Sequence, residues 1–239
     1  MVASTVTDLT TADELMLLSI EPDRGRLLAS PPHTLPLALA GAMLMDLMHD
    51  ERVTVIDGVV VAGPETADPL SDAILARIRR MPIPQGIGYW INALGAPQFR
   101  AQDRITWRLI ERGFVSIDVR LALVVFASTR YIVTEPAVRD AIASRITRAL
   151  TSDDRVEPQT VSLIAMADAC GILKHVIKRE YRRAAWRRAR SMMQSDEFAS
   201  DTALATAQYA YAASLEVYAS VCAAGHGSGG GHGGGHGGH

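Results

Sequence analysis

The sequence predicts a mainly α-helical, single-domain protein that contains two β-hairpins, one of them hydrophobic. Apolar residues recur at helical spacing over most of the chain, and two short stretches rich in β-branched residues surround turn signals. The 239 residues, 48% of them hydrophobic, lie at the upper end of what one core supports. We expect a flexible N-terminus over 1–10, one domain over 11–224 and a disordered Gly/His tail over 225–239.

The first two helices are predicted from a capping signal and from apolar composition. Thr11, followed three residues later by Glu14, has the form of a capping box just ahead of an apolar run. Residues 35–48 are apolar on all sides apart from Asp46, which is typical of a helix at the centre of a core. We therefore expect a short helix near residue 11 and a buried helix over 35–48.

A hairpin and a further helix are predicted next. Between residues 52 and 62, valines alternate on either side of Asp57-Gly58, which is the strongest short signal for a hairpin turn. Residues 69–80 have helical apolar spacing, and two prolines end that helix. A glycine-containing loop is expected over 82–88.

The middle of the chain predicts a third clear helix and the second hairpin. Residues 99–112 carry apolar side chains on one side of a helix, and Gly113 is placed to cap its C-terminus. β-branched and aromatic residues then favour strands over 114–117 and 121–127, continuing towards 131–133.

From Pro136 onward the pattern is helical as far as residue 224. Two helices are expected over 138–150 and 158–173, followed by a basic helix that ends near Met193 and an alanine-rich final helix.

The strongest charge feature is segment 174–190. It holds eight basic residues and one acidic residue, a net charge of +7, whereas the chain as a whole carries −2. Such asymmetry indicates an anionic partner. If the segment is helical, four residues face inward, namely Ile177, Tyr181, Ala184 and Ala185. The alternative is a solvated helix face whose arginines pair with acidic residues elsewhere. The candidate basic surface consists of Lys174, Lys178, Arg182, Arg183, Arg187 and Arg188.

A second basic stripe lies on the predicted third helix. Its arginines follow one another every four residues and drift slowly round one side of the helix: Arg100, Arg104, Arg108 and Arg112. Guanidinium groups at this spacing suit a phosphate head group. The alternative is that Asp103 and Glu111, on the same helix, neutralise them.

The second hairpin contains an apolar run over 121–126. A half-buried hairpin has one polar face, yet these six consecutive residues are all apolar. Either the strand is buried on both faces or the hairpin places its tip in lipid. The candidate membrane-inserting residues are Leu121, Leu123, Val124, Val125 and Phe126.

The sequence offers little for catalysis or metal binding. It contains no nucleophile elbow, Walker loop, metalloprotease or Cys-x-x-Cys motif, so we expect no enzyme activity, no cofactor and no metal site. Cys170 and Cys222 are too far apart for a zinc spacing, and two such thiols are typical of a reducing compartment. The first twenty residues lack Lys and Arg, and the longest apolar run is too short to span a bilayer. A cytoplasmic protein that meets membranes from the side is expected.

The order of these segments resembles the Golgi phosphoprotein 3 family. The matching stretches are ADELMLL at 12–18, ALAGAMLMDL at 38–47, RVTV at 52–55, PLSDAIL at 69–75, LIERG at 109–113 and FASTRY at 126–131. The resemblance extends from about residue 11 to 220, and it is carried by the order and spacing of the stretches.

The resemblance implies a peripheral protein of the cytosolic membrane face, on the Golgi if the organism is eukaryotic. It also implies a membrane-entering hydrophobic hairpin, a basic pocket for phosphatidylinositol 4-phosphate and binding to the cytosolic tails of membrane enzymes. The family's pocket residues fall near Pro31 and on Ala40, Phe99 and Gln102 here. Arg100 and Arg104 therefore become the candidates for a phosphoinositide or another anionic lipid, together with Arg108.

A different class of function stays open. Helix, strand and apolar hairpin over 99–133 also describe a winged helix, and the basic segment would then follow a nucleic-acid backbone. Against this, the chain outside 174–190 is acidic, which is unusual for a DNA-binding domain. We expect no nucleic-acid partner.

Overall fold

The computed structural model describes residues 9–122, 126–152 and 154–194, and for 119–122, 126–128, 193 and 194 it describes the backbone alone. The described residues are mainly helical and include two antiparallel hairpins, which confirms the predicted fold class. The elements are α1 Thr11–Ser19, α2 Thr34–His49, β1 Val53–Ile56, β2 Val59–Ala62, α3 Pro69–Arg79, α4 Ile87–Gly95, α5 Ala101–Glu111, β3 Val115–Ala122, β4 Phe126–Val133, α6 Pro136–Thr151, α7 Pro158–Ala169, α8 Leu173–Val176 and α9 Arg182–Gln194.

Helix α1 is the centre of the domain. All nine of its residues are buried, and it packs against α2, α5, α6 and α7. The capping box that begins it is formed by Thr10 and Asp13, so the predicted pair of Thr11 and Glu14 is wrong. Glu14 instead bonds to Arg145 of α6. The N–H groups of Thr11 and Ala12 donate to the Asp46 carboxylate of α2, at 2.8 and 3.1 Å. A carboxylate from the neighbouring helix therefore completes the cap.

The first hairpin forms as predicted. Strands β1 and β2 pair from Val53 opposite Ala62 to Ile56 opposite Val59. Asp57 and Gly58 have positive φ angles of 51° and 79°, as the twist of a two-residue hairpin turn requires.

The predicted loop over 82–88 is wrong at its end. Helix α4 begins at Ile87 and buries Trp90, Ile91 and Leu94 against α2. The helical spacing of these apolar residues outweighs the glycine at position 88. Gly95 then lies so close to α2 that an added Cβ would be 2.7 Å from the Leu37 side chain.

The second hairpin differs from the prediction, because β3 extends to Ala122 and β4 begins at Phe126, so residues 121 and 127 lie on different strands. Pairing continues from Val115 opposite Val133 to Ala122 opposite Phe126. Residues 118–120 therefore belong to β3, with Asp118 opposite Arg130 in the register. The base of the hairpin is tied to the loop after α1, since the Tyr131 N–H donates to the Gly25 carbonyl at 2.9 Å.

The C-terminal half corrects the predicted helix limits. Helix α7 ends at Ala169, and Gly171 follows with a φ of 72°. Segment 174–190 is not one helix, because the chain leaves α8 at Ile177 in an extended conformation and α9 begins only at Arg182. Ile177 is buried at this break between the two helices. The predicted alanine-rich helix lies outside the described residues.

Candidate functional site

The basic surface extends over α8, the connection that follows it and α9. Lys178, Arg183 and Arg187 are exposed, and the other three members are half-buried. Helix α9 turns Ala185, Ala189 and Met192 towards the core, against α6 and α7. Its arginines therefore lie on the opposite, outward side.

The predicted inward face of this segment is partly wrong. Ile177 and Ala185 are buried as predicted, but Tyr181 and Ala184 are exposed. The prediction assumed one continuous helix, and the break after α8 changes the direction in which residue 181 projects. Tyr181 lies instead in the turn that leads into α9, where its carbonyl accepts the Ala185 N–H at 2.9 Å.

Four cations of the basic surface have no carboxylate partner in the described part of the chain. There, no carboxylate oxygen lies within 4.0 Å of the charged groups of Lys174, Lys178, Arg183 or Arg187. Within the described residues, these four cations therefore do not form the ion pairs that the alternative interpretation predicts. Four concentrated positive charges are left to attract an anionic partner.

Two arginines of the basic surface also position α9. The Arg182 Nε donates to the carbonyl of Ile177 at 3.1 Å, immediately before the helix. The Arg188 guanidinium donates to the carbonyls of Ala149 and Asp154, at 3.0 and 3.1 Å, and so holds α9 against the end of α6. These two residues have a structural role in addition to their charge.

The stripe on α5 divides into two surface arginines and two internal ones. Arg100 precedes the helix and has a φ of 57°. Its guanidinium forms an ion pair with the Asp103 carboxylate at 2.7 Å, as the alternative interpretation of the stripe predicted. The Arg104 Nε donates to the Phe99 carbonyl at 2.8 Å, and its guanidinium lies 4.8 Å from the centre of the Phe99 ring. Both side chains remain at the surface.

Arg108 and Arg112 are bound to Asp13 of α1. Arg108 contacts one carboxylate oxygen at 2.8 Å and Arg112 contacts the other at 3.1 Å. Arg108 also donates to Thr10 at 3.1 Å and lies 3.5 Å from Asp68, and its side chain is only 18% exposed. Of the three predicted head-group residues, Arg108 is thus held by internal partners, while Arg100 and Arg104 face solvent.

Comparison with protein families places these features in context. The family model of Golgi phosphoprotein 3 (GPP34) matches residues 12–211. The chain belongs to this family. The match includes α1 to α9 almost completely, and with them the basic surface, the α5 stripe and the second hairpin. Comparison with curated proteins gives no match.

In this Golgi phosphoprotein 3 family member, two of the predicted inserting residues lie at the adjoining ends of the strands of the second hairpin. Leu121 is the penultimate residue of β3 and Phe126 is the first residue of β4. Leu123, Val124 and Val125 lie outside the described residues, and insertion stays a prediction. Lower in the hairpin, Ile117 and Ile132 are 36% and 40% exposed.

A cleft that the sequence did not reveal lies beside the N-terminus of α1. It has a volume of 470 Å³, and its lining includes Leu9, Asp46, His49 and Glu157. The His49 Nε2 is 3.3 Å from the Ser162 Oγ, and burial lowers the pKa of His49. Ser162 is fully buried, so a substrate in the cleft does not reach its hydroxyl. No local signal pairs His49 with Ser162, because the two residues are 113 positions apart in the sequence.

Two classes of feature are not found among residues 9–122, 126–152 and 154–194. No described helix is both long and apolar enough to cross a membrane. No group of three or more His, Cys, Asp or Glu side chains in these ranges is arranged to hold a metal ion.

Proposed function

We propose that the protein is a peripheral membrane protein that binds anionic lipid through the basic surface. One observation carries this proposal. In the described part of the chain, four cations have no carboxylate within 4.0 Å, namely Lys174, Lys178, Arg183 and Arg187. Each basic residue near an anionic leaflet contributes about 1 kcal/mol, so four of them give about a thousandfold preference for an anionic over a neutral surface. Family membership supports the same class of function.

The proposed lipid is phosphatidylinositol 4-phosphate or another anionic lipid. Arg100 and Arg104 are the proposed contacts for its phosphates, since both lie at the surface of α5. Arg108 is excluded from this role as long as its bonds to Asp13 persist. We further propose that the protein is an adaptor for the cytosolic tails of membrane enzymes and is not itself an enzyme.

Charge reversal tests the proposal. Arg183→Glu together with Arg187→Glu reverses two exposed charges and leaves the bonds of Arg182 and Arg188 intact. The matched control is Arg79→Glu together with Arg80→Glu, which makes the same charge change at exposed positions of α3 and its C-cap. Flotation is measured with phosphatidylcholine vesicles, alone or with added phosphatidylserine or phosphatidylinositol 4-phosphate.

The α9 double variant should lose binding to both kinds of anionic vesicle by at least about tenfold, and the α3 control should keep it. Arg100→Glu with Arg104→Glu should reduce only the preference for phosphatidylinositol 4-phosphate over phosphatidylserine. If the α9 variant and its control bind anionic vesicles equally well, the basic surface is not the lipid-binding surface.

A further inference from the structure

Two large aromatic side chains are exposed beside the arginines of α9. Tyr181 is 48% exposed and Trp186 is 46% exposed. A scattered surface aromatic is ordinary, but here both rings lie within the most basic part of the chain. An aromatic side chain with a polar tip is favoured where an apolar layer meets water, because the ring and the N–H or O–H prefer different surroundings.

The geometry of α9 places Trp186 with three of these arginines. Trp186 follows Arg183 by three residues and precedes Arg190 by four, so these side chains neighbour one another on the helix. Arg187 continues the same outward side. All four are exposed, whereas the buried side of the helix is made of Ala185, Ala189 and Met192.

We propose that Trp186 enters the interfacial layer of an anionic bilayer while Arg183, Arg187 and Arg190 contact lipid phosphates, with Tyr181 at the edge of the contact. This inference rests on the proposed lipid binding and names the side chain that anchors it. Trp adds an apolar contribution that salt does not screen, whereas the arginines supply attraction that salt weakens.

An aromatic group among arginines also suits single-stranded nucleic acid, since bases stack on such rings. A bilayer is favoured by the distribution of charge. Segment 174–190 carries a net charge of +7, while the whole chain carries a formal −2, so the remainder carries −9. A flat surface can meet this patch without covering the acidic remainder, whereas a long polyanion that extends past the patch would meet that remainder.

The three tryptophans allow a direct test. Trp90 is fully buried, Trp107 on α5 is 59% exposed and Trp186 is 46% exposed. Trp107→Phe leaves Trp186 as the exposed reporter, and Trp186→Phe leaves Trp107 as the matched control. Tryptophan fluorescence emission is recorded with phosphatidylcholine vesicles and with anionic phosphatidylcholine/phosphatidylserine vesicles. It is recorded again with the same anionic vesicles made from brominated lipid. Flotation of the same samples reports binding independently.

In Trp107→Phe, anionic vesicles should shift the tryptophan emission to shorter wavelength, and brominated lipid should quench it. These vesicles contain no phosphatidylinositol 4-phosphate, the lipid for which Arg100 and Arg104 of α5 are proposed to give a preference, so Trp107 in Trp186→Phe should show neither effect. Trp186→Ala should weaken flotation severalfold, by a similar factor at low and high salt. The loss in the Arg183→Glu, Arg187→Glu variant should instead shrink as salt rises.

The remaining outcomes separate this inference from the proposed function. Normal flotation with an unchanged Trp186 fluorescence signal would contradict the insertion of Trp186, while the proposed lipid binding would be retained. A fluorescence response of Trp107 alone would assign the lipid contact to α5 and would also contradict the insertion of Trp186. Failure of every variant and the parent to float overturns lipid binding itself. Quenching of Trp186 by single-stranded RNA, with no response to anionic vesicles, replaces the bilayer with nucleic acid.

Discussion

Asp13 and Arg108 form a buried ion pair that joins α1 to α5, with 2.8 Å between the Arg108 Nη2 and the Asp13 Oδ1. The Asp13 side chain has no exposed surface, and its second oxygen is held by Arg112 at 3.1 Å. A buried carboxylate is tolerated only when it is paired and hydrogen-bonded, so the two arginines are what allow Asp13 to lie at the centre of the core.

The first prediction concerns this pair. Arg108→Met removes one of the two guanidinium partners and leaves the carboxylate of Asp13 buried, so it should lower the free energy of unfolding by about 3 kcal/mol. Urea unfolding measures the change. Arg104→Met is the control, because Arg104 lies at the surface and donates to a backbone carbonyl, and it should cost less than about 1 kcal/mol. Equal losses in the two variants would contradict the structural role assigned to Arg108.

The second prediction concerns the pH dependence of stability. Burial raises the pKa of Asp46 from its ordinary value of 3.8 to about 6, despite the hydrogen bonds from the Thr11 and Ala12 N–H groups. Between these values the folded protein binds a proton that the unfolded chain has released. The contribution of Asp46 to the free energy of unfolding is therefore fully present below pH 4. It is lost as the pH rises to 6, and the total loss is about 3 kcal/mol.

Asp46→Asn isolates this contribution, since burial also raises the pKa of Glu14, which changes stability in the same direction. Urea unfolding of the parent and of Asp46→Asn should be compared at pH 4, 5, 6 and 7. The free energy of unfolding of the parent, relative to the variant, should fall as the pH rises. A difference that is constant across this range would mean that Asp46 has an ordinary pKa in the folded protein.

The third prediction concerns the tip of the second hairpin. If Leu121, Leu123 and Phe126 enter the acyl region, replacing all three with Ser removes about 1.5 to 3 kcal/mol of transfer free energy per side chain. Flotation with anionic vesicles should then fall by orders of magnitude, while circular dichroism and the melting temperature stay near the parent values.

The control for the hairpin variant is Ile117→Ser with Ile132→Ser, lower in the same hairpin, where both residues are partly exposed. It should retain vesicle binding. A triple variant that unfolds shows that these residues belong to the core. A folded triple variant with full binding would exclude insertion of the hairpin.

The sequence by itself determined the elements that local chemistry controls. The Asp57-Gly58 turn was predictable because few residue pairs adopt two positive φ angles. Helix α2 was predictable because its residues are apolar on every side, and the concentration of charge in segment 174–190 is a property of composition. The family resemblance followed from the order of short stretches, and the match over residues 12–211 confirmed it.

The tertiary structure alone decided which charges are available at the surface. Arg100, Arg104, Arg108 and Arg112 are equivalent in spacing, yet only the latter two meet Asp13, which is 95 residues from Arg108 in the chain. Likewise, Asp46 completes the cap of α1 from 35 residues away. The predicted basic helix is divided where the chain becomes extended at Ile177, and Tyr181 is exposed. Periodicity assigns a side chain to one side of a helix. The partner that it meets there depends on packing between segments distant in sequence, which no local pattern contains.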